Sequence, residues 1–339
     1  MPQLSGVWFP AVRAGTGADM FTVRLADALK RRGIQTEITW LPHRAEYAPW
    51  TVAIPKPPVW ANVIHINSWL HTRFIPATLP LVATVHGCVH DSALEPYKSS
   101  IQALYHRWWV KGLEAATLRR ADVVTAVSQY TTRQTMKVFG RDDIVTVYNW
   151  IDTEQFGPDV RQEFHHPFRL LFVGNLTPRK GADLLPKIME KLGSDFELRY
   201  TGNVGEFGSM NLPPNMIAIG RIREPDMLIK TYQTQDALLF PTRLEGFGLV
   251  ALEAQSCGCP VITTDCSSLP EVVEPGKTGI LCSVDDVNAF VMAAQKLRND
   301  PTIWRRMRMD ARKWAVSKFG EETAIEQYLA VYKSLLKTQ

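Results

Sequence analysis

Short apolar runs alternate with amphipathic segments along this chain, and the alternation occurs twice. In the first half, buried-strand patterns occur at 4–9, 62–66 and 80–86, with a helical pattern between the first strands. The alternation restarts at 168 with the run FRLLFVG. Because strand–helix–strand repeats place successive strands parallel in one sheet, the pattern predicts an α/β fold with doubly wound parallel sheets.

The domain organisation follows from the length and from one break in the alternation. A chain of 339 residues is long enough for two domains of ordinary size. The segment 151–167 is polar, turn-rich and without a clear period. We therefore expect a first Rossmann-like domain over 1–150, a linker over 151–167, a second Rossmann-like domain over 168–320 and a final helix over 321–339.

Charge and tryptophan are unevenly spread between the two halves. Residues 1–150 hold 16 Lys+Arg and 10 Asp+Glu, whereas 151–339 hold 22 and 24, so the halves carry +6 and −2. Eight of the ten tryptophans also lie in the first half. This balance favours an anionic, amphipathic or sugar-like partner for the first domain, and it is too weak to indicate nucleic-acid binding.

Hydrophobic runs, the first residues and the cysteines indicate the cellular compartment. The sequence contains no run of about 18 apolar residues, so no transmembrane helix is expected. The first residues lack the pattern of a signal peptide. The five cysteines are odd in number, which favours a reducing cytoplasm over a disulfide framework. Cys257 and Cys259 fit either small buried side chains or a metal pair, but no second Cys/His pair stands at ligand spacing.

Glycines separate the first strand from the first helix. In Gly15-Thr16-Gly17 they would let a phosphate or sugar approach backbone N–H groups. A dinucleotide fingerprint would require a third glycine where Met20 stands, and Glu37 lies inside the strand predicted over 34–40 rather than at its end. A ligand-facing loop, a plain tight turn and nicotinamide binding therefore remain as interpretations.

A second loop of this kind carries two adjacent cations. The segment 174–181 follows a strand and precedes a helix, and Arg179 and Lys180 could neutralise a diphosphate there. Its spacing is not that of a P-loop. On this fragment alone, a solvated basic turn is an equally good interpretation.

The stretch 240–265 is the most informative part of the sequence. Glu245 and Glu253 stand eight residues apart, and Gly246-Phe247-Gly248 precedes a helix whose first N–H groups can hold an anion. Glu253 falls in the second turn of that helix, where its carboxylate could accept two hydrogen bonds from a ribose diol. The alternative is a pair of ordinary surface glutamates.

These segments resemble glycosyltransferase family 4, whose members are retaining GT-B enzymes. The matching residues are FVGNLTPRKG (172–181), PTRLEGFGLVALEAQSCGCPVI (241–262) and SSLPEVVEPGKTGILC (267–282), and the glutamate pair fits the family's E-x7-E signature. Looser matches in the first half are GTGAD, VIHINS, VATVHG and NWIDTEQF. The resemblance implies two Rossmann-like domains facing a cleft, with the donor on the second, the acceptor on the first, and the last helix packed back on the first.

The resemblance also implies roles for individual residues. Glu253 would hold the ribose, while Glu245, Lys180 and His86 would be catalytic. The donor-binding set would be Gly15, Gly17, Arg179, Lys180, Gly246, Phe247, Gly248 and Glu253. On the acceptor side it implies Asp19 and His65, although His65 fits a structural strand residue as well. Asn175 departs from the family, in which arginine is common at this position, and Arg179 could compensate.

The expected activity is transfer of a sugar, with retention, from a nucleotide diphosphate sugar to a hydroxyl acceptor in surface polysaccharide or glycolipid assembly. Because the protein would supply the positive charge itself, the resemblance implies neither metal nor cofactor. The basic, Trp-containing helix 105–120 could rest on an anionic membrane surface, and the expected location is cytoplasmic or at the inner face of the membrane. Two alternatives are a sugar-nucleotide epimerase of the same fold and a non-catalytic sugar-nucleotide or glycan-binding protein.

Overall fold

The computed structural model describes residues 4–208 and 211–337. The chain divides into a first unit, Met1–Asn149 with Glu321–Gln339, and a second unit, Trp150–Gly320. The strands of the first unit are β1 (Gly6–Val12), β2 (Gln35–Leu41), β3 (Val63–Asn67), β4 (Leu81–Val85), β5 (Val123–Ala126) and β6 (Ile144–Thr146). Its helices are α1 (Gly17–Arg31), α2 (Ser100–Tyr105), α3 (Lys111–Arg120), α4 (Gln129–Phe139) and α11 (Glu321–Lys337).

The second unit repeats this plan with its own strands and helices. Its strands are β7 (Phe168–Phe172), β8 (Phe196–Tyr200), β9 (Met216–Ala218), β10 (Ala237–Phe240), β11 (Val261–Thr264) and β12 (Gly279–Cys282). Its helices are α5 (Leu185–Leu192), α6 (Pro225–Gln233), α7 (Leu249–Ser256), α8 (Leu269–Val272), α9 (Val287–Asn299) and α10 (Pro301–Phe319).

Each unit contains one six-stranded sheet in which every pairing between named strands is parallel. The first sheet has the order β2-β1-β3-β4-β5-β6 and the second β12-β11-β10-β7-β8-β9. In both, the first strand of the unit is an interior strand, and the chain adds strands on one side of it before it adds strands on the other. The predicted α/β class with two doubly wound parallel sheets is therefore confirmed.

Helix α1 illustrates how the local pattern produces the first unit. Phe21, Leu25 and Leu29 recur at helical spacing and are buried on one face. The helix is followed by Gly33 with a φ of 80°, a left-handed conformation that favours glycine. The chain thus reverses into β2, which pairs with β1 along its whole length.

The last helix, α11, belongs to the first unit although it is remote in sequence. Near its start, Glu321 accepts a 2.6 Å hydrogen bond from the Arg31 guanidinium of α1. Near its end, Tyr332 is fully buried, and its hydroxyl lies 2.6 Å from Nδ1 of His65 in β3. A polar contact at one end and a buried aromatic at the other therefore fix α11 along this unit.

Two segments differ from their sequence-based interpretation. The stretch 151–167, interpreted as a linker, packs within the second unit: Ile151 and Phe156 are buried, and Arg161 binds Asp236 at 2.7 Å. The helix expected over 105–120 begins earlier, at Ser100, and contains a wider helical turn at His106–Val110 that joins α2 to α3. Spacing of apolar residues cannot reveal the packing of 151–167, because it depends on a partner far along the chain, Asp236.

Candidate functional site

The strand order of the second sheet indicates where a ligand would bind. β7 and β10 are neighbours, and the chain leaves them toward opposite sides of the sheet. In open α/β sheets, ligands occupy the crevice at the carboxyl ends of strands where the order reverses. The loop 174–181 follows β7 and the segment 241–248 follows β10, so the two motifs identified from sequence meet at this reversal point.

A glycine permits the close approach of these two segments. Gly181 has a φ of 71°, and a Cβ added there would lie 1.9 Å from the carbonyl oxygen of Pro241. Arg179, two residues earlier, donates to the carbonyl of Leu244 at 2.8 Å. The loop after β7 is therefore joined to the segment after β10 through backbone contact and a charged hydrogen bond.

Lys180 and Glu245 form an ion pair at the same place. Their Nζ and Oε1 atoms are 2.6 Å apart, and both side chains are largely buried. The hydroxyl of Thr242 donates to the same oxygen at 2.7 Å. Burial strengthens such a pair by excluding water, so the two predicted catalytic residues of this unit are held in a defined geometry.

The backbone of Glu245 is also fixed. Its N–H donates to the Ser267 hydroxyl at 3.0 Å, and its carbonyl accepts from the Ser268 hydroxyl at 3.1 Å. Arg243, which the sequence analysis did not single out, binds Asp183 and Asp285, each at 2.6 Å. These hydrogen bonds, chiefly that to Asp183, raise the pKa of Arg243. Arg243 thus connects three loops around the reversal point.

The glycine-rich turn leads directly into helix α7. Gly248, with a φ of 96°, is the residue before the helix, so the first N–H groups of α7 follow at once. The Phe247 side chain is buried and packs edge-on against Phe319, with ring centroids 5.6 Å apart. The Phe247 side chain is therefore part of the core of this unit.

Glu253 lies one turn further along α7 and has a partner that sequence reasoning missed. The hydroxyl of Tyr232, on α6, donates to Glu253 Oε2 at 3.0 Å. Tyr232 is fully buried, and burial together with the nearby carboxylate keeps its pKa well above the ordinary value, so the phenol remains a donor. Nothing in the local sequence marks this tyrosine, because the contact depends on how α6 packs on α7.

In the first unit, the Asp19 carboxylate binds the backbone of its own loop. Its Oδ2 accepts hydrogen bonds from the N–H groups of Ala14 at 3.0 Å and Gly15 at 2.7 Å. The carboxylate thus closes the loop after β1 upon itself, and the Gly15 amide already has an acceptor. Gly15 and Gly17 are both exposed and Asp19 is partly buried; the assignment of the two glycines to the donor diphosphate and of Asp19 to the acceptor stays a prediction.

His86 lies directly after β4. Its Nε2 is 2.7 Å from Oδ1 of Asn67, which ends β3, and its ring makes a T-shaped contact with that of Phe21, with ring centroids 4.6 Å apart. Burial lowers the pKa of His86 to about 4, so the imidazole is neutral at pH 7. Because an amide oxygen can only accept, Nε2 carries the proton and Nδ1 has the lone pair.

His65 is not placed to contact an acceptor. It is 1% exposed, and its two ring nitrogens are occupied by Tyr332 Oη at 2.6 Å and Thr84 Oγ1 at 2.7 Å. Burial, with the nearby His86, lowers its pKa to about 3. The acceptor-side assignment is therefore wrong in this structure, and the structural alternative describes His65 as a connection between β3 and α11.

The structure also describes the cysteines and allows a search for metal sites and membrane-spanning helices. Cys257 and Cys259 are buried, and burial raises the pKa of both thiols, that of Cys259 to about 12. Over 4–208 and 211–337, no group of three His, Cys, Asp or Glu side chains could hold a metal ion. Within the same residues, no helix has the length and apolar character needed to cross a membrane.

Two family models and several known proteins match this chain. The family described as "Glycosyl transferases group 1" matches residues 157–314, and "Glycosyltransferase Family 4" matches 59–155. The D-inositol 3-phosphate glycosyltransferase 1 of Catenulispora acidiphila is 27% identical over 322 residues, covering 85% of this chain and 76% of that protein. The capsular polysaccharide biosynthesis glycosyltransferase CapM of Staphylococcus aureus is 28% identical over 207 residues, covering 56% and 54%.

Among solved structures, Anabaena Alr3699/HepE in complex with UDP and glucose is similar to this chain. The TM-score is 0.74 at 17% identity, covering 97% of this chain and all of that one. This likeness extends over both units and confirms the predicted GT-B fold. The two family matches together span both units as well, and the chain belongs to the GT-B glycosyltransferases of the family 4 type.

Proposed function

We propose that this glycosyltransferase moves a sugar from a nucleoside diphosphate sugar to a hydroxyl acceptor, with retention at the anomeric carbon. The observation that carries the proposal is the buried Lys180–Glu245 pair at the strand reversal, 2.6 Å between Nζ and Oε1, beside the start of α7. Such a place combines a cation, a carboxylate and free helix N–H groups, which are what a leaving diphosphate and a developing oxocarbenium ion require. Anabaena Alr3699/HepE, which was solved with UDP and glucose, supports this class of donor.

The leaving diphosphate would be stabilised by groups of the protein. Lys180 and Arg179 carry positive charge beside the reversal point, and the first N–H groups of α7 add the positive end of a helix dipole. Both cations already have partners in the protein, Glu245 and the carbonyl of Leu244, so the donor would share them. Exposed Asn175 has no charge to offer, and we assign the compensating charge to Arg179. We therefore propose that no metal ion is required.

Glu253 would hold the ribose. A carboxylate oxygen can accept more than one hydrogen bond, so the group held by Tyr232 can still accept from a diol. The Tyr232 contact orients Glu253 before the nucleotide binds, which reduces the entropy that binding must overcome. Glu245, in contrast, would act near the anomeric carbon, and the resemblance assigns His86 to the transferred sugar.

Two glutamate variants test this division. Glu253→Ala should weaken binding of free UDP by about 1.5–3 kcal/mol, roughly tenfold to a hundredfold, because charge-assisted hydrogen bonds are lost. Glu245→Ala should mainly lower kcat and leave UDP binding largely intact. Calorimetric titration of UDP and steady-state kinetics measure both, with Glu190→Ala, an exposed glutamate on α5, as the matched control.

The outcomes separate the possible functions. Equal loss of UDP affinity in the two variants would contradict the division of roles, and normal turnover in both would refute the proposed site. Turnover of the donor sugar without any acceptor would favour the epimerase. Donor binding without transfer to any acceptor would favour the binding protein, and the anomeric configuration of the product, read by NMR, tests retention.

We also propose that the acceptor is a glycan or lipid-linked sugar of surface polysaccharide or glycolipid assembly, presented at the inner face of an anionic membrane. The similarity to CapM supports the polysaccharide role. The membrane surface would be formed by residues 101–111, where Ile101 is 82%, Leu104 60% and Trp108 73% exposed. They recur at helical spacing on one face, and exposed Arg107 and Lys111 accompany them. Apolar side chains with adjacent cations fit a bilayer of anionic lipid.

The proposed surface at 101–111 only partly coincides with the membrane segment 105–120 expected from sequence. Trp109 turns inward: its N–H donates to the carbonyl of Glu46 at 3.0 Å, and its ring stacks with His71. Arg120 binds backbone carbonyls, those of Pro76 and Leu79 at 3.2 and 3.0 Å. Neither side chain would therefore serve the proposed membrane surface.

Flotation with vesicles of phosphatidylglycerol and phosphatidylcholine tests this surface. Wild-type protein should float with the anionic vesicles and be released as salt is raised, since each basic residue near the surface contributes about 1 kcal/mol that salt screens. Trp108→Ala should reduce the bound fraction, while Met292→Ala, an equally exposed apolar residue of the second unit, should not. Absence of binding to anionic vesicles, or equal effects of the two variants, would contradict the proposal.

A further inference from the structure

A carboxylate that the proposed chemistry does not use is buried beside the loop of His86. Glu114, on α3, is completely buried. Its Oε1 accepts a hydrogen bond from the Ser68 hydroxyl at 2.7 Å. Its Oε2 faces Nε2 of His90 at a distance of 3.5 Å. Burying a carboxylate costs free energy unless the group is paired. Ser68 and His90 are the partners that offset this cost for Glu114.

The two partners of Glu114 belong to the segments that hold His86. Ser68 directly follows Asn67, whose Oδ1 lies 2.7 Å from the His86 ring. His90 is four residues after His86, in the loop that follows β4. Glu114 thus contacts both the end of β3 and the loop after β4, the two segments that the Asn67–His86 hydrogen bond also joins.

The contact with His90 is incompletely formed. In the described part of the chain, Glu114 Oε2 and His90 Nε2 are both buried atoms without a hydrogen bond. A charge-assisted N–H···O bond is about 2.7–2.9 Å long, so a shift of the loop by well under 1 Å would complete this one. Such a small movement would also set the position of His86 on the same loop.

We propose that Glu114 is a positioning residue, which fixes the imidazole of His86 for the reaction by binding Ser68 and His90. The proposal rests on the role of His86 in the proposed function. Glu114 touches neither substrate nor the reacting atoms, and its effect passes through the two segments that carry Asn67 and His86. Substitution of Glu114 should therefore change kcat only when His86 is present. It should have little effect on UDP binding, because the proposed function assigns UDP binding to the second unit.

The test combines variants of Glu114 and His86. Glu114→Gln keeps the size and one acceptor oxygen for Ser68 but removes the charge facing His90. We expect kcat to fall tenfold or more in Glu114→Gln, further in Glu114→Ala, and UDP affinity to change less than twofold. In the His86→Ala background, Glu114→Gln should change kcat less than twofold, because residues that act as one unit are not additive. Glu95→Gln, an exposed carboxylate paired with Lys98, is the matched control.

Each outcome decides one question. Unchanged kcat in His86→Ala would refute the role of His86 and with it the basis of this inference. If His86→Ala lowers kcat strongly but Glu114→Gln has normal kcat, the positioning role alone is refuted. The same conclusion follows if the fold-losses in kcat of the two single variants multiply in the double variant. A comparable loss of kcat in both backgrounds together with a lower melting temperature would show that Glu114 serves only the stability of the fold, which also overturns the proposal.

Discussion

Mild acid should destabilise the first unit through His65. This histidine is 1% exposed, its pKa is lowered to about 3, and in the unfolded chain the value is about 6.5. Between these two values the unfolded chain binds a proton that the folded chain does not. The free energy of unfolding is therefore highest, as far as His65 is concerned, above about pH 6.5, and it decreases as the pH falls toward 3. From the two pKa values, lowering the pH from 7.5 to 5.0 should cost about 2 kcal/mol at this residue.

Urea unfolding followed by tryptophan fluorescence measures this loss. Seven of the ten tryptophans lie in the first unit, so the signal reports chiefly on its unfolding. His86, with a pKa lowered to about 4, contributes in the same direction, and comparison with a His65 variant separates the two. His65→Asn retains a hydrogen-bonding side chain but cannot titrate, so its free energy of unfolding should fall by about 2 kcal/mol less than that of wild type over this interval.

The result that would refute the reasoning is an equal loss in wild type and His65→Asn. If the variant does not fold, NMR of the labelled wild-type imidazoles gives an independent answer. The His65 ring should remain neutral down to pH 5, because its nitrogens are held by Tyr332 and Thr84 inside the fold. Titration of that ring near pH 6.5 in folded protein would contradict the prediction.

Three further predictions concern the second unit. Excess EDTA should leave sugar transfer unchanged in a coupled assay, and activity that returns only with added Mg²⁺ or Mn²⁺ would contradict a charge supplied by Arg179 and Lys180. Gly181→Ala should lower the free energy of unfolding by more than about 1 kcal/mol, because Gly181 has a positive φ and an added Cβ would lie 1.9 Å from the Pro241 carbonyl oxygen. Gly205→Ala, where an added Cβ meets open space, should be nearly neutral in the same urea titration. Tyr232→Phe should raise the KM for the donor with little change in kcat, since it removes the hydrogen bond that orients the ribose carboxylate, and a selective loss of kcat would oppose that role.

Several features of this protein could be predicted from sequence because they depend on local patterns. The alternation of apolar runs with helical periods gave the order of strands and helices, since a period of 2 or 3.6 is visible within one segment. The sequence also predicts a donor site from the glycines, cations and glutamates of 174–181 and 245–253, because each of these strand–turn–helix motifs lies within one short segment of the chain.

The tertiary structure alone decided which of these groups meet. Lys180 and Glu245 pair because β7 and β10 are neighbours in the sheet, and a strand order cannot be read from periodicity. His65 and Tyr332 are 267 residues apart in sequence, yet they meet because α11 packs on the first sheet. Asp19 turned toward its own loop, and Tyr232 reached Glu253 from another helix. In each case the partner is chosen by long-range packing, which fixes distances that no local pattern of residues contains.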